Sequence, residues 1–457
     1  VWTAGLVFLR RFFHFSWGHH IISASRLMSA WRQALESYRD RRVLVVLFLG
    51  FSSGLPLLLT YSTLSAWLSM EGISRSAIGL FALVGLPYSL KPLWAPLLDR
   101  LPPPLPLGRR RGWAVSIQLA LMAAILSLGM LDPKTQIGDM AMLAVLVAFL
   151  SASQDMVLDA YRIESLDEAH QGPGAGAVQV GYRLAMLAAG AGTLLLAQAF
   201  GWFVGYGVMA ALMIVGIGVM LVSPEPAISL TPLVSRETNG GNVNWKAELN
   251  QAVIRPFGDL MKRQGWPAVL IFIVAYKLGE AMAGVMATPL YISIGFSLAE
   301  IAAVSKVFGF FATIIGCLVG GAVVTRFGCL KALLICGILQ SLGNLFYVLQ
   351  AQAGHHVEYL ALCVAAENLT GGMAGTALVA YISMLCNISY TATQYALLSA
   401  LATLGRTLFA SSGGFLADDL GWEMFFLMTT VVTIPALLLL LWMMSRWPHL
   451  KVSAAES

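Results

Sequence analysis

Apolar residues in this chain gather in blocks of about twenty, the length an α-helix needs to cross roughly 30 Å of hydrocarbon. The blocks lack the one-sided spacing that marks a helix half immersed in water. Twelve are legible, near 43–69, 76–98, 113–131, 140–162, 177–200, 203–222, 267–292, 299–325, 330–350, 358–386, 391–416 and 422–444. They predict an all-α membrane protein with twelve transmembrane helices, since a helix satisfies its own backbone polar groups in lipid. Only 11% of residues are charged while 58% are hydrophobic, and mean hydropathy is +0.77. So few charges cannot cover a water-facing surface, which excludes a soluble enzyme, a nucleic-acid binder and a disordered scaffold.

The blocks divide six and six about one long polar stretch. Its Pro224, Pro226, Thr231 and Asn239-Gly240-Gly241-Asn242 read as a linker. The predicted organisation is a basic amphipathic segment over 1–42, a six-helix bundle over 43–222, a cytoplasmic linker over 223–265, a second bundle over 266–446 and a tail over 447–457. Twenty-one of the 28 Lys and Arg fall in segments on the N-terminal side of the membrane, and only Arg75 and Lys134 on the other. The positive-inside rule then puts both termini in the cytoplasm. Residues 1–42 carry Trp2, Phe12, Phe13, Phe15, Trp17 and Trp31 among their arginines, as a helix lying on the inner face would. His14, His19 and His20 lack nearby acidic or Cys ligands and read as interfacial packing, and no metal is expected. Five widely spaced cysteines read as buried thiols. The start at Val1 rather than Met reads as trimmed.

Charges inside the blocks are costly unless paired or wetted, so they mark function by default. Asp155 and Asp159 are four apart and share one helix face. Two carboxylates so close in a poorly hydrated cavity do not both ionise easily, which suits them to load and release a proton. The alternative for Asp159 is a static bridge to Arg162. Lys277 and Glu280 can pair along their helix, either permanently or until an anionic solute displaces the carboxylate. Glu367 is a further proton-site candidate or a structural bond. Arg183 and Arg406 are each a solute clamp or the partner of an internal carboxylate. In the turn after the second block, Asp99 faces Arg109, Arg110 and Arg111 and would form a latch that breaks when the carrier opens inward. Positive-inside anchoring alone explains the arginines but not Asp99. No GxxxxGK[ST], GxSxG or HExxH is present, so neither nucleotide hydrolysis nor a covalent or metal site is indicated. Energy must come from a gradient.

The halves echo each other: Arg183 and Gly190 recur as Arg406 and Gly413 at the same offset. Such echoes fit two bundles about a central cavity. The turn from Asp99 to Arg111 resembles the loop motif of the major facilitator superfamily, stretched by Pro102-Pro103-Pro104-Leu105-Pro106. More narrowly, the chain resembles the muropeptide permease (AmpG-type) family. The matching stretches include Gly50-Phe51-Ser52-Ser53-Gly54-Leu55-Pro56-Leu57, Gly108-Arg109-Arg110-Arg111-Gly112-Trp113 and Ser151-Ala152-Ser153-Gln154-Asp155. Further matches are Tyr276-Lys277-Leu278-Gly279, Glu367-Asn368-Leu369 and Ala392-Thr393-Gln394-Tyr395-Ala396-Leu397. The resemblance implies the major facilitator fold. It also implies proton symport, without cofactor, of N-acetylglucosamine–1,6-anhydro-N-acetylmuramyl peptides from periplasm to cytoplasm across a bacterial inner membrane, for peptidoglycan recycling and β-lactamase induction. Family importance carries over to Asp155 and Asp159. In such a cavity Arg183, Lys277 and Arg406 could meet peptide carboxylates, and Gln154, Tyr182, Asn368, Gln394 and Tyr395 could meet amides and hydroxyls. The expected partners are solute, protons and lipid, with the chain a monomer. The rivals are a proton-antiport exporter of drugs or siderophores, an acyl-coenzyme A carrier, and a membrane-embedded cell-wall lipid enzyme, for which no reactive cluster is visible.

Overall fold

A computed structural model describes residues 36–226, 255–410 and 413–447. Asp40 opens the first helix as its N-cap, its side chain accepting from the Arg42 amide, and α1 (Arg41–Met70) then runs with a break at Tyr61. The next stretch, α2, is no single rod. It is a chain of short pieces, Arg75–Leu80, Phe81–Gly85, Leu86–Leu90, Lys91–Leu93 and Ala95–Arg100. Pro87, Pro92 and Pro96 each lack the N–H that an unbroken ladder needs. There follow α3 (Arg109–Met130), α4 (Ile137–Ser165), α5 (Glu168–Phe200), α6 (Trp202–Val222), α7 (Trp266–Ser293), α8 (Ala303–Phe327), α9 (Cys329–Ala353), α10 (Val357–Leu385), α11 (Thr391–Ala410) and α12 (Leu416–Arg446). Ten of these, all but α2 and α11, are long and apolar enough to cross a membrane. The two exceptions coincide with the expected second and eleventh spans. Prolines interrupt the first, and Thr391, Thr393, Gln394, Ser399, Thr403 and Arg406 dilute the second. Most of the segment 1–42, the linker over 227–254 and the tail from 448 lie outside the described residues.

The apolar core is split. One cluster lies in α1 to α6 with Ala392 and Ala396 of α11, two lie mainly in α7 to α12, one of which takes in Ile163 of α4 and Ala175 of α5, and a small fourth joins Val43 and Val46 of α1 to Leu166 and Ala177. Glycines set the closest approaches. A Cβ on Gly181 of α5 would overlap the Leu47 carbonyl oxygen of α1, and one on Gly50 would overlap the Val178 carbonyl. We expect Gly181→Ala to lower the melting temperature of the purified protein, at an overpacking cost of about 1–3 kcal/mol. An unchanged melting temperature would mean that α1 and α5 can separate freely. The sequence echo has a spatial counterpart. Gly190 lies against Leu58 of α1 and Gly413 against Met286 of α7, the opening helices of their respective halves.

The halves meet mainly through α5 against α8 and α10, and through α2 and α4 against α11. Near the arginine-rich end, a Cβ on Gly172 would sit 2.8 Å from the Gly321 carbonyl oxygen, and one on Gly176 2.8 Å from that of Cys317. Tyr38 closes this seam by donating its hydroxyl to the Leu318 carbonyl at 2.7 Å. The latch described next lies on the same side, so the chain is held shut at the end that the arginine count assigns to the cytoplasm.

Candidate functional site

Helical spacing puts Asp155 and Asp159 on the face of α4 that looks toward the other half. Asp155 is half-buried and accepts a short hydrogen bond from the Ser53 hydroxyl of α1. Asp159 accepts from Arg162 Nη2 at 3.3 Å, the static bridge that its position allowed. Arg162 is buried and also reaches across the seam. Its Nη2 donates to Ser383 Oγ of α10 at 2.9 Å, and its guanidinium lies 5.5 Å from the centre of the Tyr395 ring of α11. Two of its other nitrogens, Nε and Nη1, have no partner among the described residues. Lys91, at the break in α2, acts electrostatically on both aspartates, and both aspartates act on the Tyr182 phenol. Sequence reasoning missed Lys91 although it is one of few cations within a block. Its neighbours Leu90 and Pro92 look like lipid-facing sequence, and only the broken helix turns it inward.

In the second half, Lys277 occupies the break between the two helical pieces of α7. Its ammonium makes a short ion pair with Glu280 and a 3.4 Å bond to the Gly371 carbonyl of α10. Glu280 also accepts a short bond from Gln340 of α9, so the pair is closed in this conformation. Asn368 is engaged within its half. It donates to Glu367 at 2.8 Å and to the Val364 carbonyl at 2.9 Å, and accepts from Thr313 of α8 at 2.8 Å. Arg183 is exposed where α5 faces α8, and Arg183 and Lys277, from opposite halves, both act on the buried Cys317. Arg406 lies on α11, but its side chain is outside the described residues.

The latch forms and is larger than the sequence suggested. Arg110 is fully buried between two carboxylates, donating to Asp99 at 2.7 Å and to Glu164 of α4 at 2.5 Å. Arg109 joins Glu164 at 3.2 Å and lies 4.0 Å from Asp99. Asp99 then crosses to the other half. It accepts from the Thr393 amide at 2.9 Å, the Thr393 hydroxyl at 2.7 Å and the Ala392 amide at 3.3 Å, capping the start of α11. Arg111 differs from the expectation. It caps the end of α6 through the Met220 and Leu221 carbonyls rather than meeting Asp99. Glu225 caps α3 by accepting from the amides of Arg110 and Arg111. Glu164, Glu225 and Thr393 gave no signal in the sequence, because each acts through a fold-dependent neighbour far along the chain.

Two of the expected amides are committed inside the protein. Gln154 is buried in the first half and donates to Ser52 at 3.0 Å. Gln394 accepts from the Asn387 amide and donates to Pro256 and Asp259, tying α11 to the helix Arg255–Lys262 ahead of α7. Burial pushes the Asp259 carboxyl up, but hydrogen bonds from Gln394, Arg263 and Asn387 bring it below its ordinary value. A depressed carboxyl stabilises only while ionised. Its contribution is therefore complete above an unfolded carboxyl value of about 4 and is lost as pH falls further. We expect the melting temperature of Asp259→Asn to lie below wild type at neutral pH and the two to converge in acid. A gap independent of pH would refute that linkage.

Comparison with known proteins bears on this arrangement. Residues 269–456 match the family model described as Major Facilitator Superfamily, and residues 42–198 that described as Acetyl-coenzyme A transporter 1. The chain is 42% identical over 411 residues to the anhydromuropeptide permease of Escherichia coli (strain K12), covering 90% of this chain and 81% of that protein. It is 34% identical to the putative transporter AmpG 4 of Rickettsia conorii, with 90% of this chain and 98% of the relative covered. In fold it is similar to the Escherichia coli fucose:proton symporter, with a TM-score of 0.64 at 13% identity over 88% of this chain and 97% of that one. Ten membrane-length helices, a split core and these relatives give one answer: the chain is a transporter, not an enzyme, and belongs to the muropeptide permease (AmpG-type) family of the major facilitator superfamily.

Proposed function

We propose that this transporter imports anhydro-muropeptides from periplasm to cytoplasm across a bacterial inner membrane, driven by protons and needing no cofactor. The observation that carries the reading is the unequal treatment of the α4 carboxylates. Asp159 is bridged to an arginine that spans the seam, whereas Asp155 has no ion pair among the described residues and accepts from the neutral Ser53 hydroxyl, with Lys91 acting electrostatically on both. Asp155 is then the carboxylate whose charge can change, and Asp159 the one that reports the change to the interface between halves. Arg183 and Lys277, from opposite halves and both within electrostatic reach of Cys317, supply the positive seat that peptide carboxylates require, with Arg406 a third contributor. Glu280 yields Lys277 when cargo arrives, and Glu367 is a secondary proton site. Tyr182 and Tyr395 offer hydroxyls to sugar and amide groups. Both termini lie in the cytoplasm, and the monomer is the working unit.

The test is uptake of labelled anhydro-muropeptide into proteoliposomes with an imposed inward proton gradient. Accumulation that follows the gradient supports the reading, and uptake indifferent to it overturns the coupling. A second reading is an acyl-coenzyme A carrier, favoured by the match of residues 42–198 to the Acetyl-coenzyme A transporter 1 family model. Transport of acetyl-coenzyme A with no muropeptide uptake in the same vesicles would select it.

A further inference from the structure

Between α1, α4 and α6, at the arginine-rich end, lies a cavity of about 410 Å³ whose lining includes Arg41, Arg42, Ser165, Glu164 and Glu225. Its charges are unevenly satisfied. Glu164 is held by Arg109 and Arg110, and Glu225 by the amides that open α3. Arg42 is shared between Asp40 at 3.0 Å and Asp167 at 3.2 Å. Arg41 is exposed, and its guanidinium has no ion pair or hydrogen bond among the described residues. The Ser165 hydroxyl is buried, has no partner among the described residues, and belongs to a residue of the same lining. A site whose carboxylates already hold their own donors, and which keeps one guanidinium and one hydroxyl unpartnered among the described residues, is arranged for an anion.

The rim says which anion. Val222 on α6 lines the cavity and is exposed, as are its neighbour Leu221 and, one and two turns along α1 from Arg41, Leu44 and Phe48. An occupant can therefore place charge on Arg41 and apolar tails along these residues, as an inner-leaflet lipid does. We propose that this cavity seats the phosphate of an anionic phospholipid headgroup, held by Arg41 and the Ser165 hydroxyl. A headgroup bound there ties α1 to α4 and α6 beside Glu164, which anchors the latch.

The experiment uses the full chain, purified and delipidated, with melting temperature read on adding dioctanoylphosphatidylglycerol, dioctanoylphosphatidylcholine or inorganic phosphate. Phosphatidylglycerol is expected to raise the melting temperature and phosphatidylcholine to leave it unchanged. Arg41→Gln should lose most of that shift, Arg41→Lys should keep part of it, and Arg39→Gln, an exposed arginine outside the cavity, should keep all of it. If inorganic phosphate alone gives a shift that Arg41→Gln removes, the phosphate seat stands and its source is soluble. Equal shifts from the two lipids, or an undiminished shift in Arg41→Gln, would overturn the proposal. Because only lipid-dependent shifts are compared, a variant that is merely less stable does not mimic the result. Transport is not read, so the outcome is independent of the cargo.

Discussion

Asp155→Asn is expected to abolish uphill uptake while leaving downhill exchange of cargo intact. The amide keeps the size of the carboxylate and can still bond the Ser53 hydroxyl, so the local packing survives. What it cannot do is gain and lose a proton. Gradient-driven accumulation should fall on the order of a hundredfold or more, whereas counterflow between equal pH compartments should fall little. Asp159→Asn should behave differently. It strips Arg162 of its carboxylate partner inside the seam, so the loss is expected in stability as well as in transport. Proteoliposome accumulation and counterflow, measured side by side, separate the two. Equal losses of accumulation and counterflow in Asp155→Asn would show that the residue holds cargo or fold rather than the proton.

Asp99→Asn should release the closed end. In the present conformation this one carboxylate receives Arg110, two amides and a hydroxyl, three of the four from the opposite half. The start of α11 also carries the partial positive charge of its helix dipole. Asparagine cannot supply the charge that these three cross-seam donors meet, and hydrogen bonds to a charged group are each worth about 1.5–3 kcal/mol. That penalty falls on the closed state, where the cross-seam bonds exist, so the balance should move toward opening by on the order of a hundredfold or more. Cys317 is a natural reporter, being buried beside the glycine contact of α5 and α8. In a background lacking the other four cysteines, maleimide labelling of Cys317 should be much faster with Asp99→Asn. An unchanged rate would mean that the glycine seam and Tyr38, not the latch, hold this end shut.

The helices were legible because the membrane imposes a length and a polarity that composition alone reveals. Their continuity was not. Nothing in a hydropathy pattern separates the unbroken α3 from the jointed α2; the prolines at 87, 92 and 96 carry that information. In the site, spacing within one helix was reliable. The Asp155 and Asp159 face, the Lys277 and Glu280 pair and the Asp159 bridge to Arg162 all follow from intervals of three and four residues. Contacts between distant segments were not accessible in this way. Glu164 meets Arg110, Asp99 meets Thr393, and Arg162 meets Ser383 across intervals set by tertiary packing. Gln154 and Gln394 bond to neighbouring helices in this conformation, a use of a polar residue in an apolar helix that sequence does not separate from facing a solute.

The jointed α2 divides mechanical duty unevenly around the bundle. An unbroken helix such as α3 transmits displacement along its axis like a strut, whereas five short pieces store it as bending at the joints. Deuterium should therefore enter the amides of residues 81–95 sooner than those of α3.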